Sequence, residues 1–331
     1  TSTEPIVARI TPVPYSDTHR VLTGTAVGSE YIKFSVTQTS DSTNLWKIKN
    51  DGRLEAIPSV INGSDSLAWQ KLKNAVQNFP NGSIITINGE IKATNEGLGP
   101  TANYGEIVIN KNLTIKGKTG AASDILNANG TTTDPNAPAT KHRIFKVESG
   151  KTLTLENLML KNGKAEGTAP ADCGGAIYTN GGTINITNCT ITGSEAGNGG
   201  AVYACQNSTV TMSGGKICAN KASSCGGGMY IHTSTLKLTN NALIGGEQYY
   251  ADSAPNKIKG NIAENGGGIY FESTGNKTFV MENSTVSFNT ADGTLLHNDS
   301  SGGGVTLGSS IEFTMKGGAV KNNKAVSDTG N

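Results

Sequence analysis

The chain has 331 residues, a formal net charge of +1, 16% charged and 5% aromatic residues, and 43 glycines. Its charges are scattered, without the basic stripe that a nucleic-acid binder needs, and no run of about 18 apolar residues provides a transmembrane helix. Glycine this abundant without a collagen period, mixed with Thr, Ser, Asn and spaced Val, Ile and Leu, predicts short strands joined by many tight turns; the same composition suits an exported bacterial surface protein.

The first twenty residues, with Pro5, Pro12 and Pro14, read as a linker or an added strand. Strand-like stretches follow at 21–25, 31–37 and 46–49, and Asn50-Asp51-Gly52 predicts a hairpin into 53–57. Residues 1–60 are therefore either a β-rich extension or the remnant of a preceding domain. At 66–79 the pattern changes to helical spacing. Ala68, Trp69, Leu72, Ala75, Val76 and Phe79 share one face, Ser64, Asp65 and Ser66 offer an N-cap, and Pro80-Asn81-Gly82 provides the stop. Two strand runs follow, 83–92 and 106–116. Residues 121–141, rich in Thr, Asn, Pro and Ala, predict an excursion.

From about residue 145 two signatures alternate. The first is a Gly-Gly pair, a small residue and an apolar one, seen at Gly174-Gly175-Ala176-Ile177, Gly199-Gly200-Ala201-Val202, Gly226-Gly227-Gly228-Met229, Gly266-Gly267-Gly268-Ile269 and Gly302-Gly303-Gly304-Val305. Its spacings, from first glycine to first glycine, are 25, 27, 40 and 36 residues. The second signature is an apolar residue, two variable positions, a small or amide residue, one further position and alanine. Its copies start at Leu160, Ile191, Ile217, Ile258, Val286 and Val320, and carry Gly163, Ser194, Asn220, Asn261, Asn289 and Asn323 at the fourth place. Alternating runs such as Thr183-Ile184-Asn185-Ile186 lie between them.

Such a unit, with about three strands of three to five residues, is too small to bury its own apolar face and must stack on its neighbours. The predicted fold is all-β, a right-handed parallel β-helix over 61–331 with the helix at 66–79 capping its open end. The paired glycines are expected to supply positive φ at the turns. The recurrent amides are expected to tolerate the left-handed region and to hydrogen-bond along the axis as a ladder starting near Asn220. Further excursions are expected at 245–257 and 292–301. No closing helix follows the last repeat, so the last coil is expected to be uncovered and open to end-to-end self-association.

The alternating Gly-Gly-Ala-apolar and apolar-x-x-Asn elements over 145–331 resemble the repeats of chlamydial polymorphic outer membrane proteins and similar bacterial surface proteins. Two features depart from that pattern: the second motif opens with Leu, Ile or Val where the family usually has Phe, and no membrane barrel lies within these residues. The resemblance implies an exported, surface-located adhesin or passenger, with a glycan or a host or matrix protein as partner.

Many β-helices degrade polysaccharides, so catalytic residues deserve the same scrutiny. A lyase site needs clustered acidic calcium ligands and a strong base, yet Arg9, Arg20, Arg53 and Arg143 all precede the repeat array. No Asp-Asp pair and no His-Gly dipeptide suggests a polygalacturonase-like site. Two carboxyl groups about 5–10 Å apart would serve glycoside hydrolysis, and Asp172, Glu195 and Glu264 are the residues able to approach each other, with solvated turn charge as their simpler role. His142, His232 and His297 have no Cys, Asp or Glu at metal or triad spacing and read as surface residues. Cys173, Cys189, Cys205, Cys218 and Cys225 read as small residues of the stack, with one disulfide as the alternative. No cofactor and no metal are expected. The adjacent aromatics Tyr249 and Tyr250, in a predicted loop, are the candidate ligand contact, with a packed structural loop as the other reading.

Overall fold

The computed structural model describes residues 44–48, 54–295 and 300–327. The chain divides into two units, Thr1–Ser59 and Val60–Asn331. In the first, strands Asn44–Ile48 and Leu54–Pro58 pair antiparallel with Ile48 opposite Leu54, the arrangement of a hairpin. The turn at 50–52 and the strand-like stretches at 21–25 and 31–37 lie outside the described residues.

The second unit is a solenoid in which every pairing between named strands is parallel. One coil runs through Thr183–Thr187, Thr190–Thr192, Glu195–Ala196 and Val202–Cys205. The sequence pattern suggests about three strands per coil; the structure has a fourth, two residues long, at the alanine of the second signature. So short a strand leaves too little alternation to be seen in a sequence. Equivalent strands stack on one another. Among the described residues the stacks of the first two strands of each coil merge through the long strands Lys277–Ser287 and Ile311–Lys321 into one sheet of fifteen, beside sheets of seven and five.

Alternation decides what is buried. Ile184 and Ile186 register with Leu153 and Leu155 on one side and with Val210 and Met212 on the other, and all six are buried. Each such side chain removed from water contributes roughly 1.5–3 kcal/mol, so stacking supplies what an isolated coil lacks. The residues between them, such as Asn185 and Thr211, are half-buried on the outer surface.

The two glycines of the first signature act differently. Gly199 has φ of +63°, a conformation costly for a side chain with a Cβ. Gly200 has no such φ, but a Cβ there would lie 2.3 Å from the carbonyl oxygen of Gly227 in the next coil. One glycine turns the chain and the other lets adjacent backbones touch. The pattern recurs at Gly174 and Gly175, Gly226 and Gly227, Gly266 and Gly267, and Gly302 and Gly303.

The amides form an axial ladder. Nδ2 of Asn220 donates to Oδ1 of Asn261 at 3.0 Å, Asn261 to Asn289 at 2.9 Å, and Asn289 to Asn323 at 3.0 Å. Each Nδ2 also donates to a backbone carbonyl, for example Asn261 to Ile217 at 2.9 Å. Ser194 joins through its N–H, which donates to Oδ1 of Asn220 at 3.0 Å. The left-handed expectation for these amides is incorrect. Positive φ falls one residue earlier, at Asn162, Gly193, Ala219, Phe288 and Asn322, and this turn directs the following amide into the core. The copy assigned to Ile258 also needs correction. Ile244 fills the core place between Ile217 and Val286, and the loop containing Ile258 is inserted inside the signature before Asn261.

The helix Ala68–Asn78 packs on strands Val60–Asn62, Glu90–Lys92 and Ile107–Ile109 and buries five residues of its apolar face together with Phe79. Its N-cap is Leu67, in the left-handed region and without a side-chain cap, not one of Ser64, Asp65 and Ser66. Asn103, from the following coil, instead accepts the Gln70 N–H at 3.1 Å, while Asp65 accepts the Asn62 N–H and faces Lys71. The excursion expected at 121–141 is shorter, because Ile125–Asn127 is a coil strand between Glu90–Lys92 and Met159–Lys161. A single core residue, Leu126, left no periodic signal. At the other end Phe313, Met315 and Val320 remain 37%, 42% and 45% exposed, whereas their partners one coil back, Phe279, Met281 and Val286, are fully buried.

Candidate functional site

The seven-stranded sheet carries an aromatic column on its outer face. In Val202–Cys205, Met229–His232 and Ile269–Glu272 the first and third side chains are buried and the second, Tyr203, Tyr230 or Tyr270, is half-buried on the outer side; in Ile177–Asn180 the equivalent Tyr178 is itself buried, 6% exposed. Parallel in-register pairing places each tyrosine on the next. Successive ring centroids are 5.6, 5.0 and 5.2 Å apart; the first pair is nearly parallel at 9° and the others are tilted by 43° and 36°. Because the rings stack, their faces are shared within the column, and ring edges of Tyr203, Tyr230 and Tyr270 are left partly at the surface.

Polar groups border the column. The Tyr230 hydroxyl donates to Oε2 of Glu272 at 2.6 Å, and the His232 ring stacks on Tyr230. Cys173, Tyr178 and Cys205 form a buried cluster beneath Tyr203, with Tyr178 Oη 3.9 Å from the Cys205 sulfur. Burial pushes the Tyr178 phenol up to about 12 and also raises Tyr203, Tyr230 and Tyr270, so these hydroxyls stay protonated at neutral pH.

At the Tyr178 end the column opens into a groove of about 800 Å³ lined by Glu106, Arg143, Lys146, Glu148, Tyr178 and Asn180 among others. The Arg143 guanidinium lies 4.9 Å from the Tyr178 ring centroid. It donates to the carbonyls of Pro170 and Ala171 at 3.2 and 2.6 Å and pairs with Glu106 at 3.4 Å. A guanidinium so engaged is a fixed wall, and cannot readily act as a base.

Tyr249 and Tyr250, the contact expected from sequence, are half-buried. Tyr249 packs on Phe288 at 5.6 Å and is covered by the Lys324 ammonium at 4.4 Å; Lys259 sits 5.7 Å from the Tyr250 ring. Their loop is organised from inside by Gln248, whose carboxamide bonds Ala254 N–H and the carbonyls of Ala254 and Lys257. This is the packed-loop alternative, and neither ring joins the aromatic column.

Two of the three candidate carboxylates share one depression. Asp172 and Glu195 line this space of about 440 Å³ together with Lys164, Glu166 and Lys221. Lys164 pairs with Glu166 at 3.0 Å and Glu195 at 3.7 Å, which raises its own pKa. Glu264 is buried and does not line the depression. His142, expected at the surface, is only 8% exposed and packs against Trp69; the cap helix covers it. His232 ends a strand beside the column, and His297 lies outside the described residues. All five cysteines are free thiols, four of them buried. Among the described residues no three His, Cys, Asp or Glu side chains are grouped as metal ligands, and no helix is long and apolar enough to cross a membrane.

The fold and this outer face define a stacked-coil β-helix with a side-chain column repeated once per turn. Residues 174–330 match the family described as the right handed beta helix region, so this stretch is a right-handed β-helix. No curated protein and no solved structure gives a significant match.

Proposed function

We propose that the chain is a non-catalytic solenoid of the bacterial cell surface or extracellular space, adhesin- or passenger-like, that binds a ligand on its tyrosine face. This develops the resemblance to chlamydial polymorphic outer membrane protein repeats. The observation that carries it is the column Tyr178, Tyr203, Tyr230 and Tyr270. Stacking of coils needs the inward residues; the outward position accepts Lys146 and Thr306 in the flanking coils. Three consecutive half-buried aromatics at an outer position, Tyr203, Tyr230 and Tyr270, continued by the buried Tyr178 at the wall of a groove, suit a contact surface for glycan or protein.

A hydrolase or lyase remains the second reading, favoured by Asp172 and Glu195 sharing one depression. Against it, Lys164 neutralises part of that charge. The test is a screen of the purified chain and its Tyr203→Ala variant on glycans and matrix proteins, with mass spectrometry of the same wells. Saturable binding that weakens in the variant, without shortened product, supports the binding reading. Shortened product that disappears in Glu195→Gln replaces it with the enzyme.

A further inference from the structure

We propose that the ligand of the tyrosine face is a neutral, straight β-1,4-linked polysaccharide lying parallel to the solenoid axis, one sugar to a coil. This rests on the binding reading above and assigns its ligand class.

The argument starts from periodicity. The face repeats one aromatic ring per coil, with centroid spacings of 5.6, 5.0 and 5.2 Å. A ligand gains from every rung only if it has its own repeat of the same length along a straight line. An extended polypeptide advances about 3.4 Å per residue, and about twice that between side chains on one face; both are out of step. Stacked bases, at about 3.4 Å, are also out of step. A β-1,4-linked hexose chain advances by one pyranose ring and one bridging oxygen per sugar, close to the rung spacing, and it is straight. An α-1,4-linked glucan has the same rings but curls away from a linear column.

The chemistry along the column agrees. What Tyr203, Tyr230 and Tyr270 leave outward are ring edges and protonated phenols, Tyr178 being buried at the end of the column. The row two strand positions further on provides hydrogen-bonding groups at Asn180, His232 and Glu272, Cys205 between them being buried. Glu148 and Asn180 continue it into the groove beside Lys146. Amide, imidazole, phenol and carboxylate beside apolar ring edges match the alternating hydroxyl and C–H surface of a pyranose. Glu106, Glu148 and Glu272 outnumber Lys146 and Arg143, and the Arg143 charge is already committed to Glu106 and two carbonyls, which disfavours a polyuronate.

The experiment is calorimetric titration of the full chain with cello- and chito-oligosaccharides of two to seven sugars. Malto-oligosaccharides and oligogalacturonate serve as controls. Affinity should rise several-fold with each sugar to three or four and then level off. Tyr203→Ala and, independently, the exposed-site variant Asn180→Ala should each weaken hexamer binding at least five-fold, with unchanged circular dichroism. Malto-oligosaccharide and oligogalacturonate should bind at least ten-fold more weakly. Affinity independent of length, or equal binding of the α-linked series, overturns the axial arrangement. If no β-1,4-glycan binds but a matrix protein does so in a Tyr203-dependent way, the ligand class is wrong and the binding face stands. Failure of every ligand to depend on Tyr203 or Asn180 removes both.

Discussion

The carboxamide oxygen of Asn261 accepts two hydrogen bonds from the single residue Asn220, its N–H and its Nδ2, each at 3.0 Å. Both residues are fully buried, so no water can replace these bonds. Asn261→Ala leaves the Asn220 N–H unsatisfied, at about 1–3 kcal/mol, while Asn220 Nδ2 keeps the Ile191 and Cys218 carbonyls. The Asn261 donations to Ile217 and Asn289 are lost as well. Asn323 accepts the equivalent pair from Asn289 but is only half-buried. Urea unfolding should show a loss of about 3 kcal/mol or more for Asn261→Ala and about 1 kcal/mol for Asn323→Ala. Equal losses would mean that the ladder's burial does not matter.

Backbone contact between coils is the tightest constraint in the solenoid. Gly200→Ala places a methyl 2.3 Å from the Gly227 carbonyl oxygen and 2.7 Å from Lys221 backbone atoms. Neither can yield without separating two coils, so a loss of about 3 kcal/mol or more is expected. Gly275→Ala meets nothing within 4 Å and should stay within about 0.5 kcal/mol of the parent. Thermal unfolding of the two variants checks the contrast.

Acid should destabilise the cap before it affects the carboxylates. His142 Nδ1 lies 2.8 Å from the Arg143 carbonyl oxygen and must donate to it, which leaves Nε2 buried with no partner. Burial pushes the imidazole down to about 4, with Lys73 and Lys141 adding to the effect. A depressed folded pKa favours the neutral form, so this contribution is complete above the unfolded value of about 6.5 and is lost as pH falls toward 4. It amounts to about 3 kcal/mol. Urea midpoints should fall between pH 6.5 and 4 in the parent and fall less in His142→Phe. Asp124, lowered by N–H groups of Gly89, Gly120 and Thr119, is lost only at more acid pH.

The core and the coil were legible because stacking demands the same residue types at every turn, as in Ile184, Val210 and Leu236. Features set by a partner far along the chain were not. Asn103 caps a helix from 33 residues away, and Ile244 rather than Ile258 fills the core because a loop interrupts the motif. The tyrosine column was present in four successive motif copies. Its signal was the place one after an inward apolar residue, filled by tyrosine in all four. Adjacency in sequence drew attention instead to Tyr249 and Tyr250; the Tyr249 ring packs on Phe288 and under Lys324 of the following coils.

Thiol reactivity should follow burial. Burial pushes Cys173 up to about 12 and Cys189 up to about 11, and raises Cys205, Cys218 and Cys225. Only Cys225 is half-buried. Iodoacetamide at pH 8 should label Cys225 first and the remaining four only after denaturation, as counted by peptide mass spectrometry. Rapid native labelling of Cys189 would contradict its placement in the core.

Tyr203 separates what the column does for the fold from what it does at the surface. It stacks on Tyr178 and on Tyr230, and each aromatic pair contributes about 0.5–1.5 kcal/mol beyond area burial. Tyr203→Phe keeps both stacks and removes only the hydroxyl, whereas Tyr203→Ala removes both stacks. Stability should therefore fall by about 1–3 kcal/mol in the alanine variant and hardly change in the phenylalanine variant. A column that served only to staple coils would bind ligand equally well in Tyr203→Phe and the parent. A column that reads hydroxyl-rich chains should lose affinity in Tyr203→Phe at unchanged stability, and paired melting curves and titrations distinguish the two.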